Sequence, residues 1–137
     1  MLSYSSAMTA RSQKLLATAG ILIAVATALG AFGTHGLKPR LEAAAFSAYE
    51  SAVQYHFYHS LGLLGVALVI RDGDNALLRW SVRLILTGIG LFAGSLYLIT
   101  FGAPKFIGVV TPFGGLSLMV AWVLFAIGIT RPRQLPQ

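Results

Sequence analysis

The stretch LLATAGILIAVATALGAF, residues 15–32, is an unbroken apolar run that contains no charged side chain. At about 1.5 Å per residue, a helix of this length spans roughly 27 Å, which approaches the thickness of the hydrocarbon core of a bilayer. Backbone polar groups in lipid must hydrogen-bond within their own segment, so we expect an α-helix. The run is longer than the apolar core of a secretory signal peptide, which is about 7–15 residues, and we therefore predict a retained transmembrane helix.

Three similar apolar runs follow, at residues 53–70, 84–101 and 112–130. The chain is 56% hydrophobic and only 10% charged, well below the roughly 25% charged residues of an average soluble domain. We therefore predict an all-α membrane protein: a single integral membrane domain over residues 1–137, built as a four-helix bundle. The predicted helices cover residues 15–34, 46–70, 81–101 and 112–130, and a short amphipathic helix is expected at the interface before the second.

The basic residues flank the apolar runs and are unevenly divided between the two sides of the membrane. One side has three of them, Lys38, Arg40 and Lys105; the other side has seven, Arg11, Lys14, Arg71, Arg79, Arg83, Arg131 and Arg133. Because the cytoplasmic side of a membrane protein carries the excess of Lys and Arg, both termini are predicted to be cytoplasmic. No basic stripe typical of nucleic-acid binding is present, and the absence of cysteine excludes disulfides, thiolate catalysis and iron–sulfur clusters.

Glycine and proline predict how the helices end. Gly36 is expected to cap the first helix in the left-handed conformation, and Pro39 to lie in the first turn of the next helix. Thr111 is predicted to be the N-cap of the fourth helix, with Pro112 at its first position. Phe106 is expected in a loop at the membrane surface.

Glycines inside the apolar runs indicate close helix packing, because small residues allow helix backbones to approach each other in lipid. Packing within the chain is the favoured interpretation, and a dimerisation face, suggested by the GxxxG step at residues 90–94, is the alternative. The glycines assigned to packing are Gly30, Gly33, Gly62, Gly90, Gly94, Gly114 and Gly115.

Polar residues cluster near the predicted outer end of the second helix, and with His35 they are the candidate functional residues: His35, Glu50, Gln54, His56, Tyr58 and His59. Ionisable groups at membrane depth are unfavourable and hence functional candidates. At 100° per residue, His56 and His59 share one helix face and Glu50 lies nearly opposite. His35 is predicted on the same side of the membrane, so the three histidines can converge.

Four interpretations of this cluster stay open. Histidines from two helices, foremost His35 and His59, can ligate haem iron, His with Glu can relay protons, and three nitrogens can hold a metal. The simplest interpretation is hydrogen bonding to backbone or headgroups, so no metal or cofactor is predicted. The neighbouring aromatic residues, Tyr49 among them, are interpreted as an interfacial belt, and Trp122 is expected to face lipid or a partner.

No phosphate-binding loop, HExxH motif or GxSxG motif is present, so no catalytic residue is predicted. Four segments, however, resemble the DUF423 family of small bacterial inner-membrane proteins in order and spacing: GAFGTHGLKPRL (30–41), SAVQYHFYHSLGLL (51–64), GLFAGSLYL (90–98) and TPFGGL (111–116). The resemblance implies a four-helix protein of the bacterial inner membrane and no mechanism. The residues that it singles out are His35, Gly36, Tyr58, His59, Gly94, Ser95, Tyr97, Pro112, Gly114 and Gly115.

The leading functional hypothesis is a non-enzymatic accessory or stabilising subunit that associates with a larger inner-membrane complex. Short loops, the absence of a soluble domain and glycine-faced helices motivate it. Its predicted partners are membrane lipids and other integral membrane proteins or a second copy, and not nucleic acid. The alternatives are an oligomeric channel or transporter that uses the outer His and Glu residues, and a haem- or quinone-binding protein.

Overall fold

The computed structural model describes residues 8–135, and the elements in that range are helical. The four long helices are α1 (Ala10–Phe32), α2 (Ala43–Arg71), α3 (Ala76–Thr100) and α4 (Thr111–Ile129). Each is long and apolar enough to cross a membrane. The predicted all-α architecture of four transmembrane helices is confirmed. A π-helical turn (Gly33–Leu37) extends α1, and a 3-10 helix (Lys105–Val110) leads into α4.

All four helices begin earlier in the sequence than predicted, and polar side chains cap two of them, α1 and α3. The Thr9 side chain accepts a hydrogen bond from the backbone N–H of Ser12 at the start of α1, and Asn75 does the same for Leu78 at the start of α3. Helix α2 has 29 residues, or about 43 Å, so its ends project beyond a hydrocarbon core of about 30 Å. The segment predicted as a short interfacial helix is the first part of α2 itself.

Four local predictions about the helix ends and the segments between helices are wrong. Gly36 lies inside the π-helical turn and is not in the left-handed region, where the only glycines among residues 8–135 are Gly73 and Gly102. Pro39 lies in a turn before α2, and Phe106 lies in the 3-10 helix instead of a loop. Thr111 is the first residue of α4 and not its cap, because the preceding 3-10 helix already supplies helical backbone.

Helix α2 packs against α1 on one side and against α3 on the other, and α3 packs in turn against α4. The core of the bundle is a single cluster of buried apolar residues to which α1 contributes only Ala19. Its members are Ala19, Leu63, Val66, Ile70, Leu78, Val82, Ile85, Ile89, Leu118 and Ala121. Helix α1 is therefore peripheral, held mainly by α2.

Asp74, in the connection between α2 and α3, joins both ends of the described chain. Its carboxylate accepts hydrogen bonds from Arg11 and, at 2.7 Å, from Arg79. Its backbone forms a two-way bridge with Gln134, with N···O distances of 3.0 and 2.8 Å. The start of α1 and the segment after α4 thus lie at the same end of the bundle, called here the basic end. Its cytoplasmic orientation stays a prediction from charge.

Candidate functional site

The outer half of α2 carries a line of buried polar side chains that face α1 and α3. Tyr49 is 1% exposed and donates its hydroxyl hydrogen to the backbone oxygen of Leu29 in α1. Seven residues later, His56 Nδ1 lies 3.0 Å from the hydroxyl of Tyr97 in α3. Ser60 donates to the backbone oxygen of His56 at 2.6 Å. Because i, i+7 and i+11 share one helix face, the backbone of α2 alone brings these groups into register.

His59 points to a different neighbour. Its Nδ1 accepts a hydrogen bond of 3.0 Å from the indole Nε1–H of Trp122 in α4. The Trp122 ring lies over Gly62, where an added Cβ would come within 2.5 Å of it. The expectation that Trp122 faces lipid or a partner is therefore wrong, because its indole N–H has a partner inside the bundle.

The predicted polar residues do not form one site. His35, Glu50, Gln54 and Tyr58 are exposed, whereas His56 is 5% exposed and bonds to α3 and the half-buried His59 bonds to α4. Among residues 8–135, no group of three or more His, Asp or Glu side chains is placed to hold a metal ion. The two histidines of α2 therefore join neighbouring helices instead of converging with His35 on a ligand.

The role of Tyr49 was the part of this arrangement that sequence reasoning missed. Tyr49 was interpreted as part of an interfacial belt, but it packs within the bundle, with its ring centroid 5.7 Å from that of Tyr97 and the two rings tilted by 59°. Its spacing of seven residues from His56 was the available signal. The Nε2 atom of His56 and the hydroxyl oxygen of Ser81 are buried without a protein partner in the described chain, and the burial of such unpaired polar atoms is unfavourable.

The glycines at the contact between α3 and α4 let the two backbones approach closely. A Cβ on Gly114 would collide with the backbone of Phe92, and one on Gly88 would lie 2.5 Å from Leu118 and 3.1 Å from the oxygen of Gly114. Hydrogen bonds flank this crossing on both sides. Ser95 bonds to Thr111 at 2.6 Å, and Ser117 donates to the backbone oxygen of Leu84 at 2.8 Å.

Two other predicted packing glycines contact side chains across the α1–α2 interface. A Cβ on Gly33 would collide with the Tyr49 ring, and one on Gly30 would meet Val53 at 3.3 Å. Gly115 is less restricted, since its added Cβ would lie 3.7 Å from the Phe92 ring, an ordinary contact. Packing within the chain thus explains Gly30, Gly33, Gly62 and Gly114.

Gly90 and Gly94 do not pack within the chain, so that interpretation is wrong for them. A Cβ at either position would meet no atom within 4 Å. Both line an apolar groove of about 520 Å³ on the outside of α3, called here the α3 groove. Its lining residues are Gly90, Leu91, Gly94, Ser95, Tyr97, Leu98, Phe101, Ile107 and Val110.

Helix α1 also has a free face made of small residues. Gly20 meets no atom within 4 Å of an added Cβ, and it belongs to an exposed stripe of Ala17, Gly20, Ala24, Ala28 and Ala31. At 100° per residue this stripe, called here the α1 face, lies roughly opposite the residues that α1 buries against α2.

Four apolar spanning helices with short connections define a small multi-pass membrane protein. Residues 29–115 match the family described as "Protein of unknown function (DUF423)", and the chain belongs to that family, as its motifs predicted. A UPF0382 membrane protein of Staphylococcus saprophyticus is 37% identical over 115 residues, covering 83% of this chain and 92% of the relative. A UPF0382 membrane protein of Haemophilus influenzae is 41% identical over 109 residues, covering 79% and 86%.

A relative in Escherichia coli has a name that includes a location. The UPF0382 inner membrane protein YgdD is 32% identical over 120 residues, which cover 88% of this chain and 92% of the relative. No solved structure matches the chain significantly.

Proposed function

We propose that this protein is a non-enzymatic accessory subunit that binds and stabilises a transmembrane helix of a larger inner-membrane protein through the α1 face. The observation that supports the proposal is the small-residue stripe on the side of α1 turned away from the bundle. The inner membrane is proposed from the name of the E. coli relative.

The physical argument starts from the solvent. In lipid, large apolar side chains gain little from leaving the hydrocarbon, so helices associate mainly where small residues allow close van der Waals packing. From Ala17 to Ala31 the α1 face extends over 14 residues, or about 21 Å, which is two thirds of the hydrocarbon thickness. Exposed Ile21 and Val25 lie beside it on the same helix.

The way α1 is held gives further support. Only 11% of the most apolar 18-residue stretch of the α1 span is buried inside the bundle, whereas 33% of the corresponding stretch is buried in α2 and in α3. A helix with so little burial in its own bundle has most of its surface available for another protein. A partner helix on the α1 face would bury that surface without disturbing the contact between α1 and α2.

The contacts of His56 and His59 favour this structural role over transport. A channel that uses His56 and His59 needs their side chains to face a conducting path, but His56 bonds to Tyr97 and His59 to Trp122 at helix interfaces. Hydrogen bonds of this kind stabilise a particular packing of helices.

Two matched variants test the proposal. Gly20→Leu fills the α1 face, whereas Gly65→Leu on α2 makes the same change at another position where a Cβ meets no atom within 4 Å. The tagged protein is extracted from native membranes in mild detergent, and complex size is measured by native gel and mass spectrometry. We expect a complex with a larger membrane protein that Gly20→Leu disrupts and Gly65→Leu retains.

Three results would contradict the accessory role. Migration of the wild-type protein as a lone protomer in native lipid is the first. A complex that contains only copies of this chain is the second, and it would indicate self-association. Equal retention of the partner by Gly20→Leu and Gly65→Leu is the third, because the α1 face would then not be the contact.

A further inference from the structure

Besides the α1 face, the protein has a second free face, which lies on α3. The end of this second face that is nearest the basic end of the bundle is cationic. Trp80, Arg83, Thr87 and Gly90 are exposed, and together with the half-exposed Gly94 they follow each other at intervals of three or four residues. At 100° per residue these five positions lie within an arc of about 80°. One continuous strip of α3 therefore runs from a basic, aromatic end into the α3 groove.

Arg83 and Trp80 form the basic end of this strip. The guanidinium carbon of Arg83 lies 4.9 Å from the centre of the Trp80 ring, a distance at which a cation and an aromatic face attract each other. In the part of the chain that the structure describes, Arg83 makes no ion pair, whereas Arg79 is paired with Asp74. Arg83 is thus a positioned cation whose charge is available to a ligand.

The overall charge makes an anion the fitting ligand. The basic end carries seven Lys and Arg residues but only Asp72 and Asp74 as acids, a formal charge of +5. The opposite end carries three basic residues with Glu42 and Glu50, a formal charge of +1. Anionic phospholipid headgroups are attracted to such a basic cluster at the membrane surface.

The distance between the cation and the groove fits one phospholipid. Arg83 immediately precedes the apolar run that begins at residue 84, so it lies at headgroup level. Gly90 is seven residues and Gly94 eleven residues further along, or about 10 and 16 Å, and half of the hydrocarbon core is about 15 Å. An acyl chain that starts at Arg83 thus ends beside Gly94, where no side chain fills the space.

We propose that this face of α3 binds one anionic phospholipid of the leaflet at the basic end. The headgroup phosphate lies on Arg83 beside Trp80, and an acyl chain lies in the α3 groove against Gly90 and Gly94. The site is independent of the proposed accessory function, because it uses a different helix and needs no protein partner.

The test measures lipid retained by the purified full-length protein with native mass spectrometry. Phosphatidylglycerol and phosphatidylcholine with identical acyl chains are the two probes, since both carry a phosphate but only the first has a net charge. We expect one phosphatidylglycerol bound in preference to phosphatidylcholine. Arg83→Gln is expected to lower its retention about fivefold, while Arg131→Gln, which removes an exposed arginine at the same end, changes it less than twofold.

The acyl-chain part of the site has its own matched pair. Gly94→Leu fills the α3 groove and is expected to lower phosphatidylglycerol retention at least threefold, whereas Gly65→Leu leaves it unchanged. Both positions have open space for a larger side chain, and Gly90→Leu replaces Gly94→Leu if the latter elutes as an aggregate. Gly20→Leu is expected to keep the lipid, which separates this site from the α1 face.

Equal binding of the two lipids by the wild-type protein would overturn the proposal. So would an equal loss in Arg83→Gln and Arg131→Gln, which would indicate a diffuse basic surface. Full retention in both Gly94→Leu and Gly90→Leu would show that no acyl chain occupies the groove.

Discussion

The contact between α3 and α4 provides the sharpest prediction, because adjacent glycines at the start of α4 meet different surroundings. A Cβ at Gly114 would lie 2.8 Å from the Cα of Phe92 and the carbonyl carbon of Leu91. Backbone atoms cannot rotate away, so Gly114→Ala requires the two helices to separate. At Gly115 the nearest atom would be a Phe92 ring carbon at 3.7 Å, which an alanine tolerates.

The magnitudes combine two terms. Overpacking destabilises by about 1–3 kcal/mol, and the upper value applies to Gly114 because the obstacle is backbone. Alanine in place of glycine stabilises a helix interior by about 1 kcal/mol. We therefore expect Gly114→Ala to lower the free energy of unfolding by about 2 kcal/mol and Gly115→Ala to raise it by up to about 1 kcal/mol.

Reversible unfolding in mixed micelles with increasing sodium dodecyl sulfate measures both variants. Tryptophan fluorescence is a suitable signal, since Trp122 lies in α4 and contacts His59 across the bundle. The two alanine variants are expected to differ by about 3 kcal/mol. If Gly114→Ala unfolds at the same detergent fraction as Gly115→Ala, or at a higher one, the close approach of α3 and α4 at Gly114 is refuted.

Three further predictions concern other contacts. His59→Leu is expected to lower the free energy of unfolding by about 1–3 kcal/mol, because it leaves the indole N–H of Trp122 without an acceptor. In the same titration, a double variant that also carries Trp122→Phe should recover part of this loss. If the effects of the two substitutions are additive, the hydrogen bond between His59 and Trp122 is contradicted. Asp74→Asn removes the ion pairs with Arg11 and Arg79. Since such partly exposed pairs contribute about 1 kcal/mol or less each, we expect faster tryptic cleavage at Arg11 with little change in the free energy of global unfolding. An unchanged rate of cleavage would argue against the ion pair between Asp74 and Arg11. Tags at either terminus should resist protease added to the periplasm, and digestion of either tag would refute the orientation predicted from charge.

The candidate site was predictable only in part. The histidines of α2 were identified from their chemistry, and the resemblance to DUF423 singled out Tyr97, Gly94 and Gly114. Their contacts were not predictable, since the partner of His56 is 41 residues away and the partner of His59 is 63 residues away. Spacing along α2 shows which residues share its face but not which helix that face meets.

Four membrane-spanning helices can be predicted from the amino-acid sequence alone, because the length of an apolar run and the charges that flank it are local properties. The rotation of each helix about its own axis is defined by contacts between helices and is seen only in the folded chain. Helices α1 and α4 are apolar around their whole circumference, and in lipid the outer face of a helix is as apolar as the inner one. Hydropathy therefore does not separate Gly114 of α4, which packs against α3, from Gly20 of α1, which meets no other part of the described chain; the contacts of the folded chain do.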